Sequence, residues 1–275
     1  MSNKLSTLSN LQQRIIVGLL GATVFIGGIL FSEWTYFLLF LALTLLGIAE
    51  FYRLVAVQGI KPNRGLGMAL GALFFVSVFL IEKEIMPVEL LFLSVPVFFL
   101  AFILELYRKK PQPFTNIAFT LMGAAYIAGP FGLLHLLGYL EGEYSWQPIL
   151  GVMLLIWSSD TGAYIAGKNF GKHKLFERIS PGKTWEGWIG GTVLAVAVGY
   201  VLSIFFTDLE LYQWIAVAII IAVFGVLGDL VESQLKRSLG VKDSGTLLPG
   251  HGGLLDRFDS LLMAVPFIVA FLKIF

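Results

Sequence analysis

Apolar residues run through this chain in long blocks, and short polar intervals separate them. A membrane-crossing helix needs roughly 20 predominantly apolar residues to cover a hydrocarbon core of about 30 Å. By that rule nine helices are expected, over 15–31, 34–52, 65–81, 87–106, 116–138, 147–167, 187–206, 211–231 and 256–274. The tightest connection falls at Ser32-Glu33-Trp34, between the first two. The first block follows Lys4 and Arg14 and imitates a secretory signal, but no small-x-small cleavage site closes it and further spans follow at once. A retained first helix is expected, with the polar start Met1 to Asn10 fraying ahead of it. The expected fold class is an all-α integral membrane protein.

Charge adds a direction. All but Lys83 and Lys273 of the 19 Lys and Arg fall at the N-terminus or in the intervals after the second, fourth, sixth and eighth helices. Cytoplasmic loops carry such an excess, so the N-terminus and those intervals are expected on the cytoplasmic side and the C-terminus on the other. Charged residues are only 13% of the chain and hydrophobic ones 57%, against about 25% charged in a soluble domain. There is no cysteine, which excludes disulfides and thiolate metal sites. The formal charge of +1 says little about partners, and no nucleic-acid partner is expected. One integrated membrane domain is expected. Residues 1–140 form a frame and a candidate lipid access route; residues 141–275 form a catalytic region with polar loops 168–186 and 232–255.

The polar inventory is concentrated in that second half. From Ser233 to Asp259 the chain reads SQLKRSLGVKDSGTLLPGHGGLLDRFD, a charged island between apolar blocks. Its glycine-rich turn, Pro249 to Gly253, feeds the last helix, and a helix start offers unpaired N–H groups to phosphate. Asp256 and Asp259 are three residues apart and share one helical face, as do Asp229 and Glu232 at the end of the eighth block. Like charges at that spacing repel, a conflict that a bound cation would relieve. Carboxylates beside a phosphate seat suit magnesium. His251 has no second His or Cys at ligand spacing, so it is read as a phosphate donor or loop brace.

Two further elements carry polar groups. Trp157-Ser158-Ser159-Asp160-Thr161-Gly162 puts an acid inside the sixth block, where it costs a few kcal/mol on insertion scales and is a functional candidate. Ser180-Pro181-Gly182-Lys183-Thr184 invites a P-loop reading, but the required first glycine is Glu177. A tight turn of N–H groups with a lysine and hydroxyls remains, suited to phosphate on its own. In the first half, Glu50 and Glu105 lie near Arg53 and Arg108, and local ion pairs are expected. Arg108-Lys109-Lys110 suits anionic headgroups, and Gly65, Gly67 and Gly71 suggest close helix packing.

Ser233, Leu235, Lys236-Arg237, Lys242-Asp243, Gly245, Pro249, His251-Gly252-Gly253, Asp256-Arg257 and Asp259 together resemble the signature of the phosphatidate cytidylyltransferase family. Ser159-Asp160 and Ser180 to Gly187 are also similar to that family, so the resemblance covers residues 150–260. It implies CTP and phosphatidic acid as substrates in the bilayer, and CDP-diacylglycerol and pyrophosphate as products. It further implies an enzyme multiply spanning the cell's inner membrane with its site facing the cytoplasm. Asp229, Asp256 and Asp259 are the expected magnesium ligands, with Asp160 nearby and a second cation as an option. Lys236, Arg237, Lys242, Arg257 and Lys183 would hold phosphates. Ser159, Ser180, Thr184, Ser233, Asp243, His251 and the Gly252 and Gly253 amides would complete substrate binding. A homodimer is expected. The competing readings are a CTP-dependent transferase or kinase acting on another membrane lipid, and a transporter. A transporter would spread polar residues along many spans, and these crowd one end.

Overall fold

Ser32 alone interrupts the first two helices, because it is a built cap: its hydroxyl accepts from Thr35 N at 3.2 Å and Thr35 Oγ1 accepts from Ser32 N at 3.1 Å. The computed structural model describes residues 10–245 and 252–275, with side chains from residue 18 onward. The polar start Met1 to Ser9 and the turn residues Pro249, Gly250 and His251 lie outside the described residues.

Among the described residues nine helices follow in order: α1 Asn10–Phe31, α2 Glu33–Ala56, α3 Arg64–Glu82, α4 Val88–Tyr107 (opening as a 3-10 turn), α5 Pro113–Gly138, α6 Gln147–Phe170, α7 Trp185–Phe205, α8 Leu211–Ser238 and α9 Leu255–Ile274. Each block expected from hydropathy is present as a helix. Among the described residues seven, α2 to α8, are long and apolar enough to cross a membrane. In α1 the described apolar part is the shorter Gly18–Phe31, and α9 carries Asp256, Arg257, Asp259 and Lys273. Two features were not expected. A short antiparallel hairpin, β1 Lys174–Phe176 and β2 Ser180–Thr184, occupies the loop between α6 and α7. And α8 runs seven residues past its apolar block, beyond the Asp229–Glu232 face, so Lys236 and Arg237 are helical too. Hydropathy misses that extension because an i,i+4 pair, Glu232 with Lys236 at 3.2 Å, continues the helix without apolar residues.

The connections gather at two ends. Gln58 Nε2 donates to Leu239 O at 3.2 Å, Lys61 N to Asn116 Oδ1 at 2.8 Å, and Arg108 Nη2 to Lys61 O at 3.0 Å. These tie the intervals after α2, α4 and α8 to one another. At the other end Glu33 pairs with Lys83 and accepts from Tyr139 at 2.7 Å, while Tyr144 donates to Ile29 O at 2.7 Å.

Between the ends lies an aromatic core from α2, α3 and α5, including Tyr36, Phe40, Phe51, Tyr52, Phe75, Phe79 and Phe131. Gly67 and Gly71 are buried against Tyr52 and Ile48, the close packing expected of them; Gly65 instead sits open on the first turn. Outside, large apolar side chains such as Phe31, Phe98, Phe99, Ile103 and Leu106 are exposed. A lipid-facing surface accounts for them.

In the C-terminal half, glycine sets the spacing. A Cβ on Gly162 would stand 2.7 Å from Gly190 O, and one on Gly191 would stand 2.6 Å from Ser159 O. Helices α6 and α7 therefore touch backbone to backbone. Gly228 does the same for α8 and α9, where a Cβ would meet Met263 Cβ at 2.8 Å and collide with Asp259 O. The first seats α6, with Asp160, on the helix that Lys183 precedes; the second brings Asp229 of α8 beside Asp259 of α9.

Candidate active site

A cavity of about 370 Å³ opens where α6, the hairpin, α7, α8 and α9 meet. Asp160 and Tyr164 reach it from α6, Lys183 and Thr184 from β2, Trp188 from α7, Asp229 from α8, and Asp256, Asp259 and Ser260 from α9. Residues from 160 to 260 thus share one wall. The charges are mixed. Lys183 Nζ sits 2.6 Å from Asp229 Oδ2, and the Ser233 hydroxyl donates to Asp229 Oδ1 at 3.1 Å. Asp160 feels the attraction of Lys183 and the repulsion of Asp229, while Asp259 is repelled by both Asp229 and Asp160. Asp259 Oδ1 is steadied by the N–H of Ser260 at 2.6 Å.

Asp256 is held differently. Its Oδ1 lies 2.5 Å from Lys236 Nζ, and its Oδ2 accepts from Ser244 N at 3.1 Å and Gly253 N at 2.9 Å, with the Ser244 hydroxyl 3.0 Å away. Lys236 in turn reaches Glu232 at 3.2 Å. This lattice joins the end of α8, the loop at Ser244 and the start of α9. Asp229 and Glu232, whose mutual repulsion suggested a cation between them, each have a lysine of their own.

The model of the cytidylyltransferase family matches residues 12–275. The phosphatidate cytidylyltransferase of Staphylococcus haemolyticus is 46% identical over 174 residues, 62% of this chain and 65% of that protein. Its counterpart in Staphylococcus saprophyticus is 38% identical over 247 residues, 88% of this chain and 89% of that protein. A Staphylococcus aureus counterpart is 45% identical over 162 residues, 58% and 60%. The matched stretch is under two thirds of the S. haemolyticus and S. aureus proteins and most of the S. saprophyticus one. This chain belongs to the cytidylyltransferase family.

Of the residues singled out for this family's chemistry, Asp160, Lys183, Thr184, Asp229, Asp256 and Asp259 line the cavity. Ser233 and Lys236 brace two of those acids. Thr184 has a second task, since its hydroxyl accepts from Gly187 N at 3.1 Å and caps α7. Ser159 is buried at the contact of α6 with α7, and Ser180 opens β2; neither is on the cavity wall. Arg237, Lys242 and Asp243 are exposed and off the wall, as is Arg257 on the first turn of α9. His251 lies outside the described residues.

Three residues have partners in the structure that the sequence did not mark. Asp256, expected as a metal ligand, has both oxygens engaged by the lattice just described. The Gly253 N–H, expected to hold phosphate, donates to Asp256. Glu50, expected to pair with Arg53, instead crosses to the far end of the chain: its carboxylate accepts from Ser244 Oγ at 2.6 Å and from Leu254 N and Leu255 N at 2.9 Å each. Unpaired amide N–H groups at a helix start attract any carboxylate that can reach them, and sequence distance does not enter. Glu105 does pair locally, with Arg108 at 2.6 Å, and also accepts from Asn116 at 3.0 Å.

Trp188 escaped the sequence reading altogether. Its indole donates to Ala222 O at 2.7 Å, on a π-turn, Ile221–Gly225, that interrupts α8 beside the cavity. No pattern in the sequence marks it.

The donor set suits a hard cation, because every candidate ligand on the wall is a carboxylate oxygen. Among the described residues no three acidic or imidazole side chains converge into a protein cage. Magnesium tolerates this, since one or two carboxylates suffice when water and substrate phosphates complete the shell. Asp229 and Asp259, on facing helices, are the pair best placed.

Proposed function

We propose that this protein transfers the cytidylyl group of CTP to phosphatidic acid, giving CDP-diacylglycerol and pyrophosphate. The observation that carries the reading is the cavity itself: mixed acids and a lysine from four separate elements, inside a helical frame built for lipid, in a chain of the cytidylyltransferase family. The relatives named above bear the name of that reaction.

The lipid phosphate is already anionic, so attack requires no general base. One of its oxygens forms a bond to the α-phosphorus of CTP. The bond from that phosphorus to the bridging oxygen breaks, and its electron pair leaves with pyrophosphate. The main barrier is repulsion between anions, so positioning and positive charge supply the catalysis. Lys183, the cationic side chain described on the cavity wall, would meet the nucleotide phosphates by releasing Asp229. Asp229 and Asp259 would hold magnesium, which would neutralise phosphate charge and steady the leaving group. Lys236 and Asp256 would keep the end of α8 and the start of α9 in register. Ordering of the wall by the α6–α7 and α8–α9 glycine contacts leaves the chemistry little freedom to drift.

The distribution of Lys and Arg supports a topology in which the site end faces the cytoplasm, the nine helices cross the cell membrane and the C-terminus lies outside. There a two-tailed lipid presents its head to the cavity while its chains stay in the bilayer. We assign a homodimer on the same family resemblance. The test is turnover by purified protein in detergent with radiolabelled CTP, dioleoyl phosphatidic acid and magnesium. Magnesium-dependent CDP-diacylglycerol supports the reading; well-folded protein that makes none overturns it.

A further inference from the structure

Glu50 lies in α2, in the half of the chain that the family signature does not touch, and is 4% exposed. Its carboxylate nevertheless receives three hydrogen bonds from the signature loop and the start of α9: Ser244 Oγ and Leu255 N on Oε1, Leu254 N on Oε2. The Ser244 hydroxyl lies between this carboxylate and that of Asp256, at 2.6 Å and 3.0 Å. Two signature glycines are shaped around the same group. A Cβ on Gly245 would stand 2.9 Å from Glu50 Oε2, and one on Gly253 would collide with Glu50 Oε1 and Ser244 Oγ. Gly47, one turn earlier in α2, has Leu254 and Leu255 within van der Waals reach of where its Cβ would be. That gap lets α2 come close enough to deliver the acid.

The geometry points to Glu50 as a positioning residue for cytidylyl transfer, holding Ser244, the Gly252–Gly253 turn and the first turn of α9 so that Asp256 and Asp259 face the cavity. This rests on the activity proposed above. Its physical basis is twofold. A carboxylate at a helix start satisfies N–H groups that otherwise lack partners and lies favourably in the helix dipole. And the acids of α9 inherit the orientation of its first turn, where a displacement of about 1 Å can cost about 100-fold in rate. The frame helices are thereby part of the catalytic geometry.

Two measurements on the full chain in detergent test it. The first is kinetic: Glu50→Ala, Glu50→Gln, Ser244→Ala and the double variant Glu50→Ala/Ser244→Ala, each scored per folded molecule. Glu50→Ala is expected to lower kcat about 30- to 100-fold while the Michaelis constants for CTP and lipid stay within about threefold. Glu50→Gln keeps one acceptor oxygen but turns an amide toward Leu254 N–H, and is expected to recover part of the loss. The double variant is expected to fall little below Glu50→Ala, because Ser244 acts through the same carboxylate. The second is amide hydrogen exchange at Leu254 and Leu255, which requires no activity. Exchange there is expected to accelerate at least 10-fold in Glu50→Ala and to stay at the wild-type rate in Glu105→Gln, a buried acid that bonds elsewhere. Unchanged exchange in Glu50→Ala, an undiminished kcat, or losses that simply multiply would each overturn the assignment. A wild type that makes no CDP-diacylglycerol overturns the activity instead, and exchange then still decides whether Glu50 holds the turn.

Discussion

Asp256 and Asp259 are one helical turn apart, yet the structure separates their work. Both oxygens of Asp256 are engaged by Lys236, Ser244 and Gly253, whereas Asp259 faces Asp160 and Asp229 with one oxygen accepting from the N–H of Ser260. The two asparagine variants should therefore differ under magnesium titration. Asp259→Asn removes a ligand charge, and the magnesium concentration for half-maximal rate is expected to rise at least 10-fold. Asp256→Asn puts an amide among donors, and its rate is expected to fall about 100-fold without recovering at high magnesium. A common magnesium response in both would return Asp256 to the metal. Lys236 matters for stability in a similar way. Lys236→Met would leave the buried Glu232 and the partly buried Asp256 without their cation, a loss of about 3 kcal/mol, read as a large drop in thermal stability in detergent. Exposed Lys242→Gln should stay within about 0.5 kcal/mol of wild type.

At the scale of elements, the site is assembled by helix contacts that only glycine permits. Gly191→Val would force its side chain into the Ser159 carbonyl and wedge α7 from α6, carrying Lys183 away from Asp160 and Asp229. Overpacking of this kind costs about 1–3 kcal/mol, and the expected result is a folded but less stable protein with at least 10-fold lower turnover. Gly21, which has open space around it, is the comparison: its replacement by valine should leave turnover unchanged. Glycine spacing in α6 and α7 was visible in the sequence, but which glycines face which helix was not. Helical periodicity defines faces on one helix; the partner of a face follows from the packing of all nine.

The whole molecule has two polar ends, one rich in Lys and Arg and one poor. Because the chain has no cysteine, single cysteines can report which end lies outside. In intact cells a membrane-impermeant thiol reagent is expected to label Glu84→Cys and Glu141→Cys, and to reach Lys109→Cys and Lys242→Cys only after permeabilisation. Labelling of Lys109→Cys in intact cells would invert the topology. The helical blocks and the clustering of Lys and Arg in alternate intervals were legible in advance. They follow from composition along the chain: apolar length for a helix, basic residues for a side.

The helical frame, the family signature and the identity of the acids and lysines near the site can be read from the chain, because each is a local or pattern-level property. Their partners come only with the fold. Glu50 looked like the neighbour of Arg53 and bonds to Ser244 and the start of α9; Asp256 carries Lys236, Ser244 and Gly253 as partners, none of them marked by spacing; Trp188 looked like any aromatic in an apolar helix and fastens a π-turn. In each case the reason is the same. A buried polar group bonds to whatever complementary group the fold brings within about 3 Å, and that proximity is set by helices far apart in the chain.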